Sequence, residues 1–146
     1  MASYKWPEEL PCYQEARKFR MAISEYCRSL PKTEEYRLKD QMLRASRSVT
    51  ANIAEGFGRH HHQENIQFCR QARGSLIEMR DHLHVAVDER YAKESETVIF
   101  HELLEATLAS INGYLSYLQR CSLASKNKSA TDAQKRPAMK AIINHQ

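Results

Sequence analysis

The sequence predicts an all-α protein, folded as an antiparallel up-down-up-down four-helix bundle. In four consecutive segments, apolar side chains recur at steps of three and four residues, which is the spacing of one helix face. No proline interrupts residues 32–136, so long helices can form there. Long helices joined by short loops fold back on one another, and this gives the bundle.

The predicted helices span about residues 8–30, 33–56, 63–90 and 94–121. Helix one ends before Pro31, because the residue that precedes a proline is pushed out of the α region. Helix two begins near Thr33, a predicted N-cap. Gly56 and Gly58 are predicted to stop helix two, since glycine is common just past a helix C-terminus.

Composition divides the chain into a bundle, residues 1–122, and a tail, residues 123–146. The tail is rich in Ser, Lys, Asn, Ala and Gln, a composition that predicts a mobile segment. Residues 124–146 hold five basic side chains and one acidic, and residues 17–80 hold 13 basic against 7 acidic. Residues 81–123 hold 3 basic against 7 acidic. The basic first half and tail favour an acidic partner such as nucleic acid.

No apolar run approaches the roughly 20 residues that a membrane span needs. The first residues also lack the apolar stretch of a secretory signal. We therefore expect a cytoplasmic protein that does not enter a membrane. The cysteines show no C-x-x-C spacing and are predicted to pack as reduced, apolar side chains: Cys12, Cys27, Cys69 and Cys121.

Helices two and three carry small and polar side chains beside their apolar rows. A close crossing of the two helices is predicted from the small residues Ala51, Gly74 and Ser75. A glycine inside a helix costs about 1 kcal/mol relative to alanine, and this cost is tolerable if the glycine lets another backbone come close. The polar row consists of Arg44, Ser48, Asn52, Glu55 and Glu78. It fits either a structural network, with Arg44 paired to Glu55 or Glu78, or a ligand site lined by Asn52, Glu55 and Glu78.

Two segments carry more information than their periodicity requires. Residues 43–59 contain the motif N-I-A-E-G at positions 52–56, and residues 68–78 contain G-S-L-x-E at positions 74–78. With these motifs, the chain resembles the bacterial four helix bundle protein family over about residues 10–118. That family includes proteins encoded in intervening sequences of large-subunit ribosomal RNA genes, and relatives of the accessory variability determinant of diversity-generating retroelements.

The resemblance implies an up-down-up-down bundle assembled as a homopentameric ring, without enzymatic activity and without a cofactor. For the retroelement branch it implies binding of nucleic acid and of a reverse transcriptase. Membership alone does not select one branch, so the biological process stays open.

Helix four carries more large apolar side chains than one core-facing stripe needs. We therefore predict that some of them form a contact between subunits: Phe100, Leu104, Tyr114 and Tyr117. The alternative is a fourth helix that is deeply buried within a monomer.

The favoured function is non-enzymatic binding of RNA or DNA through basic helix faces. Arginine suits phosphate because its planar fork can donate two hydrogen bonds at once. The candidate contacts are Arg17, Lys18, Arg20, Arg47, Arg59, Arg70 and Arg73. The alternative is a protein scaffold or accessory subunit that does not contact nucleic acid.

Metal and catalytic sites are not predicted. His60, His61 and His62 are consecutive and cannot all point one way, and no Cys or Asp lies at ligand spacing from them. The sequence has no Gly-rich phosphate loop, no nucleophile elbow and no H-E-x-x-H motif. We therefore assign no catalytic residue.

Overall fold

The computed structural model describes residues 3–143, with side chains described as far as residue 134. Its four α-helices are α1 (Pro11–Cys27), α2 (Leu38–Phe57), α3 (His62–Asp88) and α4 (Glu94–Ile143). Short 3-10 turns, Pro7–Glu9 and Lys32–Glu34, precede α1 and α2. Residues 3–143 contain no β-strand, so the predicted all-α fold with four helices is confirmed.

Each helix contributes an apolar row to one shared core. α2 packs on α1 and α3, and α4 also packs on α1 and α3. The largest apolar side chains that are fully buried are Leu10, Phe19, Ile23, Met42, Val49, Ile53, Leu76, Met79, Leu83, Leu104 and Ile111. Burying one such side chain stabilises the fold by roughly 1.5–3 kcal/mol, so these rows explain why the four helices stay together.

Side-chain contacts between consecutive helices run in opposite residue order. Residue numbers rise along α3 while they fall along α4 in these pairs: Gln63 with Ser122, Asn65 with Tyr114, Arg73 with Asn112, and Arg80 with Glu105. The same order relates α2 to α3, since Ser48 contacts Ser75 and Gly56 lies against Asn65. These contacts bring the α2–α3 turn close to the middle of α4.

Helix one is shorter than the predicted residues 8–30. Pro7–Glu9 form a separate 3-10 turn, and Leu10 is extended, with φ −68° and ψ 132°. The helix therefore begins only at Pro11, whose fixed φ and missing N–H suit the first helical position. At the other end, α1 finishes at Cys27, three residues before the predicted end.

Helix two begins at Leu38, so the prediction that Thr33 caps it is wrong. The N-cap residue is Arg37, and Glu34, three residues before it, accepts a hydrogen bond at its Oε2 from the Leu38 N–H at 3.0 Å. Its Oε1 accepts a second one from the Tyr91 hydroxyl at 2.9 Å. These two bonds, the first more strongly, lower the pKa of Glu34. The start of α2 is thereby tied to the loop between α3 and α4.

The α3–α4 loop ends α3 with a left-handed residue. Arg90 has φ 63°, and its N–H donates to the Val87 carbonyl at 2.9 Å. The Tyr91 N–H donates to the Ala86 carbonyl at 2.8 Å. This pair of bonds is the Schellman arrangement, which usually has glycine at the left-handed position.

Helix four continues to Ile143, although it was predicted to end near Cys121. As far as Arg136 the continuation has a simple reason, since residues 122–136 contain neither glycine nor proline to stop it. Up to residue 134, the last buried side chain of α4 is Ser122, whose Oγ accepts a hydrogen bond from Gln63 Nε2 at 2.7 Å. Residues 123–134 are all exposed, so this part of the predicted tail makes no core contact. Residues 144–146 of that tail lie outside the described part of the chain.

Candidate nucleic-acid interface

Arg20 lies between α1 and α2. Its Nη1 donates a hydrogen bond to Thr50 Oγ1 at 2.9 Å, and the side chain is half-buried. A hydrogen bond to a charged group stabilises a fold by about 1.5–3 kcal/mol. Arg20 therefore joins two helices. This position does not favour the predicted contact of Arg20 with nucleic acid.

Arg17 and Arg47 flank that contact. Arg17 lies three residues before Arg20 on α1, and Arg47 lies three residues before Thr50 on α2. Residues three apart lie on the same face of a helix, so both arginines are next to the Arg20–Thr50 hydrogen bond. Both side chains are exposed, as is Arg70 on α3. Within the described side chains, none of the three forms an ion pair. These arginines are free to meet phosphate.

The other three candidates have partners. Lys18 Nζ lies 3.0 Å from Glu15 Oε1, and Arg59 Nη2 lies 2.9 Å from Glu55 Oε1. Arg73 donates to Asn112 Oδ1 at 3.4 Å. Such exposed pairs are worth only about 0.2–1 kcal/mol, so a phosphate could displace them. They rank below the unpaired arginines as contacts.

A small polar cluster links α2 to α3. The hydroxyl oxygens of Ser48 and Ser75 share a hydrogen bond of 2.9 Å. Asn52 Nδ2 donates to both the carbonyl and the hydroxyl oxygen of Ser48, each at 2.9 Å. Three of the predicted polar and small residues thus meet at the crossing of the two helices.

The charged residues of the predicted polar row stay outside this cluster. Arg44 pairs with Asp40 at 3.1 Å, and Glu55 pairs with Arg59. Glu78 lies 3.2 Å from His82 Nε2. The predicted pairs of Arg44 with Glu55 or Glu78 are therefore wrong, because a partner one turn away on the same helix is closer. The ligand site of Asn52, Glu55 and Glu78 is not assembled either.

The small residues predicted to mediate the crossing do not all lie there. Ala51 and Gly74 are exposed, and a Cβ built at Gly74 meets nothing within 4 Å. The close approach is at Gly56, where a Cβ would lie 2.6 Å from Asn65 Oδ1 and 2.8 Å from Phe68 Cβ. Gly56 is therefore a packing residue inside α2 and not a helix stop.

Gly58 is the C-cap of α2. Its N–H donates to the Ala54 carbonyl at 3.2 Å, and its φ of −72° is one that any residue can adopt. The helix end therefore does not require a glycine here.

The aromatic and leucine side chains predicted at a subunit contact pack within the subunit. Leu104 is only 1% exposed and belongs to the core. The ring of Phe100 lies 5.2 Å from that of Tyr26. Tyr114 accepts a hydrogen bond from Asn65 Nδ2 at 3.0 Å, and its ring stacks on Tyr117 at 6.3 Å. The wide apolar spread of α4 arises because α1 and α3 cover both of its flanks.

The opposite side of α4 is exposed, and its side chains are mostly small or apolar. Val98 and Ile99 are 50% and 53% exposed, and a Cβ built at Gly113 meets nothing within 4 Å. Glu102 and Glu105 are the exposed charged residues between Val98 and Gly113. We call this surface the outer α4 face, formed by Val98, Ile99, Glu102, Ala106, Ala109 and Gly113.

The buried cysteines are held as thiols. Burial raises the pKa of Cys12 to about 12 and the pKa values of Cys27 and Cys69 to about 11. A thiol reacts as its thiolate, so these positions do not suit a nucleophile. Among the described side chains, no group of three His, Cys, Asp or Glu is placed to hold a metal.

A cavity of about 530 Å³ opens at the end of the bundle that holds the α2–α3 turn. We call it the end cavity. It lies between the N-terminal segment, that turn and α4, and its lining includes Tyr4, Phe57, Arg59, Tyr114 and Tyr117. The sequence reasoning missed it, because its walls come from segments that are far apart in the chain. The aromatic residues near the His60–His62 run were the sequence feature that could have indicated this cavity.

Comparison with known protein families identifies the chain. The family described as 23S rRNA-intervening sequence protein matches residues 8–113. The chain belongs to this family. The resemblance carried by the N-I-A-E-G and G-S-L-x-E motifs is thereby confirmed, since both motifs lie inside the matched range. No curated protein matches the chain.

The part matched by the 23S rRNA-intervening sequence protein family covers α1 to α3 and the first half of α4. All seven predicted basic contacts fall inside it, whereas Tyr114, Tyr117 and the α4 extension fall beyond it. This family is not a known enzyme family. Within residues 3–143, no helix is both long and apolar enough to cross a membrane.

Proposed function

We propose that this 23S rRNA-intervening sequence protein is a non-enzymatic nucleic-acid-binding protein. Its subunit is an up-down-up-down bundle, which the opposite residue order of the helix contacts supports. Arg17, Arg47 and Arg70 contact the phosphate backbone of RNA or DNA. The observation that carries the proposal is their exposure without an acidic partner, within residues 17–80, which hold 13 basic against 7 acidic side chains.

Three paired arginines provide a contrast to this selection, whereas Arg37, Arg90 and Arg120 are exposed and form no ion pair among the described side chains either. Arg28, Arg44 and Arg80 are also exposed, but each lies within 4 Å of a carboxylate, from Glu25, Asp40 and Glu105. A paired guanidinium offers phosphate a weaker net charge, because its carboxylate partner stays close to it. An unpaired one gains its strongest interaction only when the ligand arrives.

The test compares two variants with the same change of charge. R17Q/R47Q/R70Q removes three unpaired arginines, and R28Q/R44Q/R80Q removes three paired ones. Binding of a fluorescent RNA strand and of a DNA duplex is measured by anisotropy over a salt series. Each lost phosphate contact reduces the slope of log affinity against log salt by about 0.7 for a single strand and about 0.9 for a duplex.

We expect the unpaired set to lower the slope by about 2 and the affinity at low salt at least about tenfold. The paired set should bind better than the unpaired set, although it frees three carboxylates. Equal loss in both variants would mean that binding follows net charge alone. Absence of binding by the wild-type protein at low salt would refute the proposal and favour the protein-scaffold alternative.

We propose further that the protein acts as a homopentameric ring, the assembly implied by the resemblance. The outer α4 face supports a contact between copies, because Ala106, Ala109 and Gly113 allow a helix to approach closely and Val98 and Ile99 offer apolar area. Exposed apolar surface on one face is a common mark of a protein contact.

Ala109→Arg tests this contact, and Ala124→Arg on the exposed α4 extension is its matched control. Light scattering should give a mass near five times the 17.0 kDa chain for the wild type and for A124R. A109R should give a smaller particle. A wild-type mass of one chain at micromolar concentration, or an unchanged A109R particle, would contradict the proposed contact.

A further inference from the structure

The end cavity has the size and position of a ligand site. Its volume of about 530 Å³ lies within the roughly 300–1,000 Å³ that small-molecule sites span. The arginines assigned to phosphate contacts, Arg17, Arg47 and Arg70, do not line it. The cavity therefore needs an explanation of its own.

Aromatic rings form much of its wall. Tyr4, Phe57, Tyr114 and Tyr117 line it, and the last two stack with centroids 6.3 Å apart and planes 15° apart. Flat aromatic surfaces bind unpaired nucleobases by stacking, irrespective of base identity. The wall thus suits a planar ring.

One hydrogen-bond donor inside the cavity has no acceptor among the described residues. Tyr114 Oη accepts from Asn65 Nδ2 at 3.0 Å, which leaves its own O–H available. Asn65 is 6% exposed and is held in turn by Cys69 Sγ, which donates to Asn65 Oδ1 at 3.5 Å. Burial raises the pKa of Tyr114 to about 12, so the proton stays on the hydroxyl at neutral pH. The hydroxyl can donate to a ring nitrogen or carbonyl of a base.

The rim of the cavity carries N–H donors of one guanidinium and two imidazoles. Arg59, His60 and His62 line it and are exposed, and no Asp or Glu among the described residues lines it. Glu55 and the Phe68 ring, which lies 5.0 Å from the guanidinium carbon, hold Arg59 in place. A guanidinium has five N–H donors, so Arg59 keeps several for a ligand. This rim is complementary to an anion.

We propose that the end cavity binds one unpaired nucleotide, with its base against the aromatic wall and its phosphate at the rim. The inference rests on the proposed nucleic-acid binding and adds a preference for single-stranded over double-stranded regions. The same chemistry could come from a free nucleotide, and the experiment separates the two sources.

The test uses the full-length protein with Tyr117→Leu, Tyr114→Phe and Arg59→Gln. Tyr36→Leu is the matched control, because Tyr36 is 92% exposed and does not line the cavity. Calorimetry measures binding of a ten-nucleotide RNA strand, of an RNA duplex of the same length, and of free AMP and UMP. Y114F keeps the ring and removes only the hydroxyl, so this variant still tests binding in the cavity if Y117L fails to fold.

We expect Y117L and R59Q to weaken single-strand binding about tenfold or more. Y114F should weaken it less, and Y36L should not change it. Duplex binding should stay within about twofold in every variant. AMP or UMP that displaces the strand supports a shared site, whereas nucleotide binding without strand binding would overturn the unpaired strand as ligand.

The failures of the two proposals are distinguishable. If the cavity variants bind the strand as the wild type does, while R17Q/R47Q/R70Q loses it, the cavity inference is overturned and the proposed function stands. If the cavity variants lose strand and duplex equally, the cavity has no preference for unpaired nucleotides. If no nucleic acid and no nucleotide binds at low salt, both are wrong.

Discussion

Two glycines on neighbouring helices should respond in opposite ways to the same substitution. At Gly56, a Cβ would lie 2.6 Å from Asn65 Oδ1 and 2.8 Å from Phe68 Cβ. At Gly74, it would meet nothing within 4 Å. Both residues are helical, in α2 and α3. The pair therefore separates the cost of crowding from the intrinsic preference of a helix for alanine.

In an open helix position, alanine is favoured over glycine by about 0.8–1 kcal/mol, and Gly74→Ala should stabilise by about that amount. Gly56→Ala gains the same term but forces the crowded atoms apart, which typically costs about 1–3 kcal/mol. Phe68 Cβ is fixed to its backbone and cannot rotate away. Moving Asn65 also strains its hydrogen bond to Tyr114, worth about 0.5–1.5 kcal/mol. The net effect is a loss of about 1–3 kcal/mol.

Urea unfolding followed by circular dichroism measures both variants. With a slope of about 1–3 kcal/mol per molar urea, the midpoints of the two variants should differ by about 1 M or more. The measurement is made at two protein concentrations, because self-association stabilises a protein by mass action. A G56A variant as stable as the wild type would refute the reasoning about crowding. A G74A variant that loses stability at both concentrations would show that Gly74 is in close contact with another surface.

Three further predictions follow from local contacts. A double-mutant cycle with Ser48→Ala and Ser75→Ala should give a coupling of about 0.5–1.5 kcal/mol between the two hydroxyls; a coupling of zero would contradict their hydrogen bond. Arg90→Gly should stabilise by up to about 1 kcal/mol because φ there is 63°, and a less stable variant in thermal unfolding would contradict this. Burial raises the pKa of Cys27 to about 11, so the stability it supports is fully present below about pH 8.5, where the unfolded thiol titrates, and is lost as pH rises through about 11. Cys27→Ala should flatten the alkaline fall in unfolding free energy, and an unchanged fall would argue against burial of this thiol.

The helices were predictable because their cause is local. Val49 and Ile53 on α2, or Leu76 and Met79 on α3, are spaced at three or four residues and lie in the core as the spacing predicts. The two family motifs could also be recognised, since a motif is a property of the sequence alone. These features depend on no knowledge of which helices are neighbours.

The mistakes have a common origin in contacts between distant segments. Glu34 accepts hydrogen bonds from Leu38 at the start of α2 and from Tyr91, and Arg20 is withdrawn from solvent because Thr50 faces it. Periodicity places a residue on a helix face but does not say what covers that face. Gly74 and Gly56 illustrate this, because both are helical glycines and only the second meets another helix.

Helix α4 is longer than the bundle needs. Among the side chains described as far as residue 134, its core contacts end at Ser122, yet the helix continues to Ile143, a further rise of about 30 Å at about 1.5 Å per residue. Lys126 and Lys128 lie within the first two turns of this projection and are exposed. Removing whole turns from the projection would shorten it and leave the buried side chains of the four helices in place.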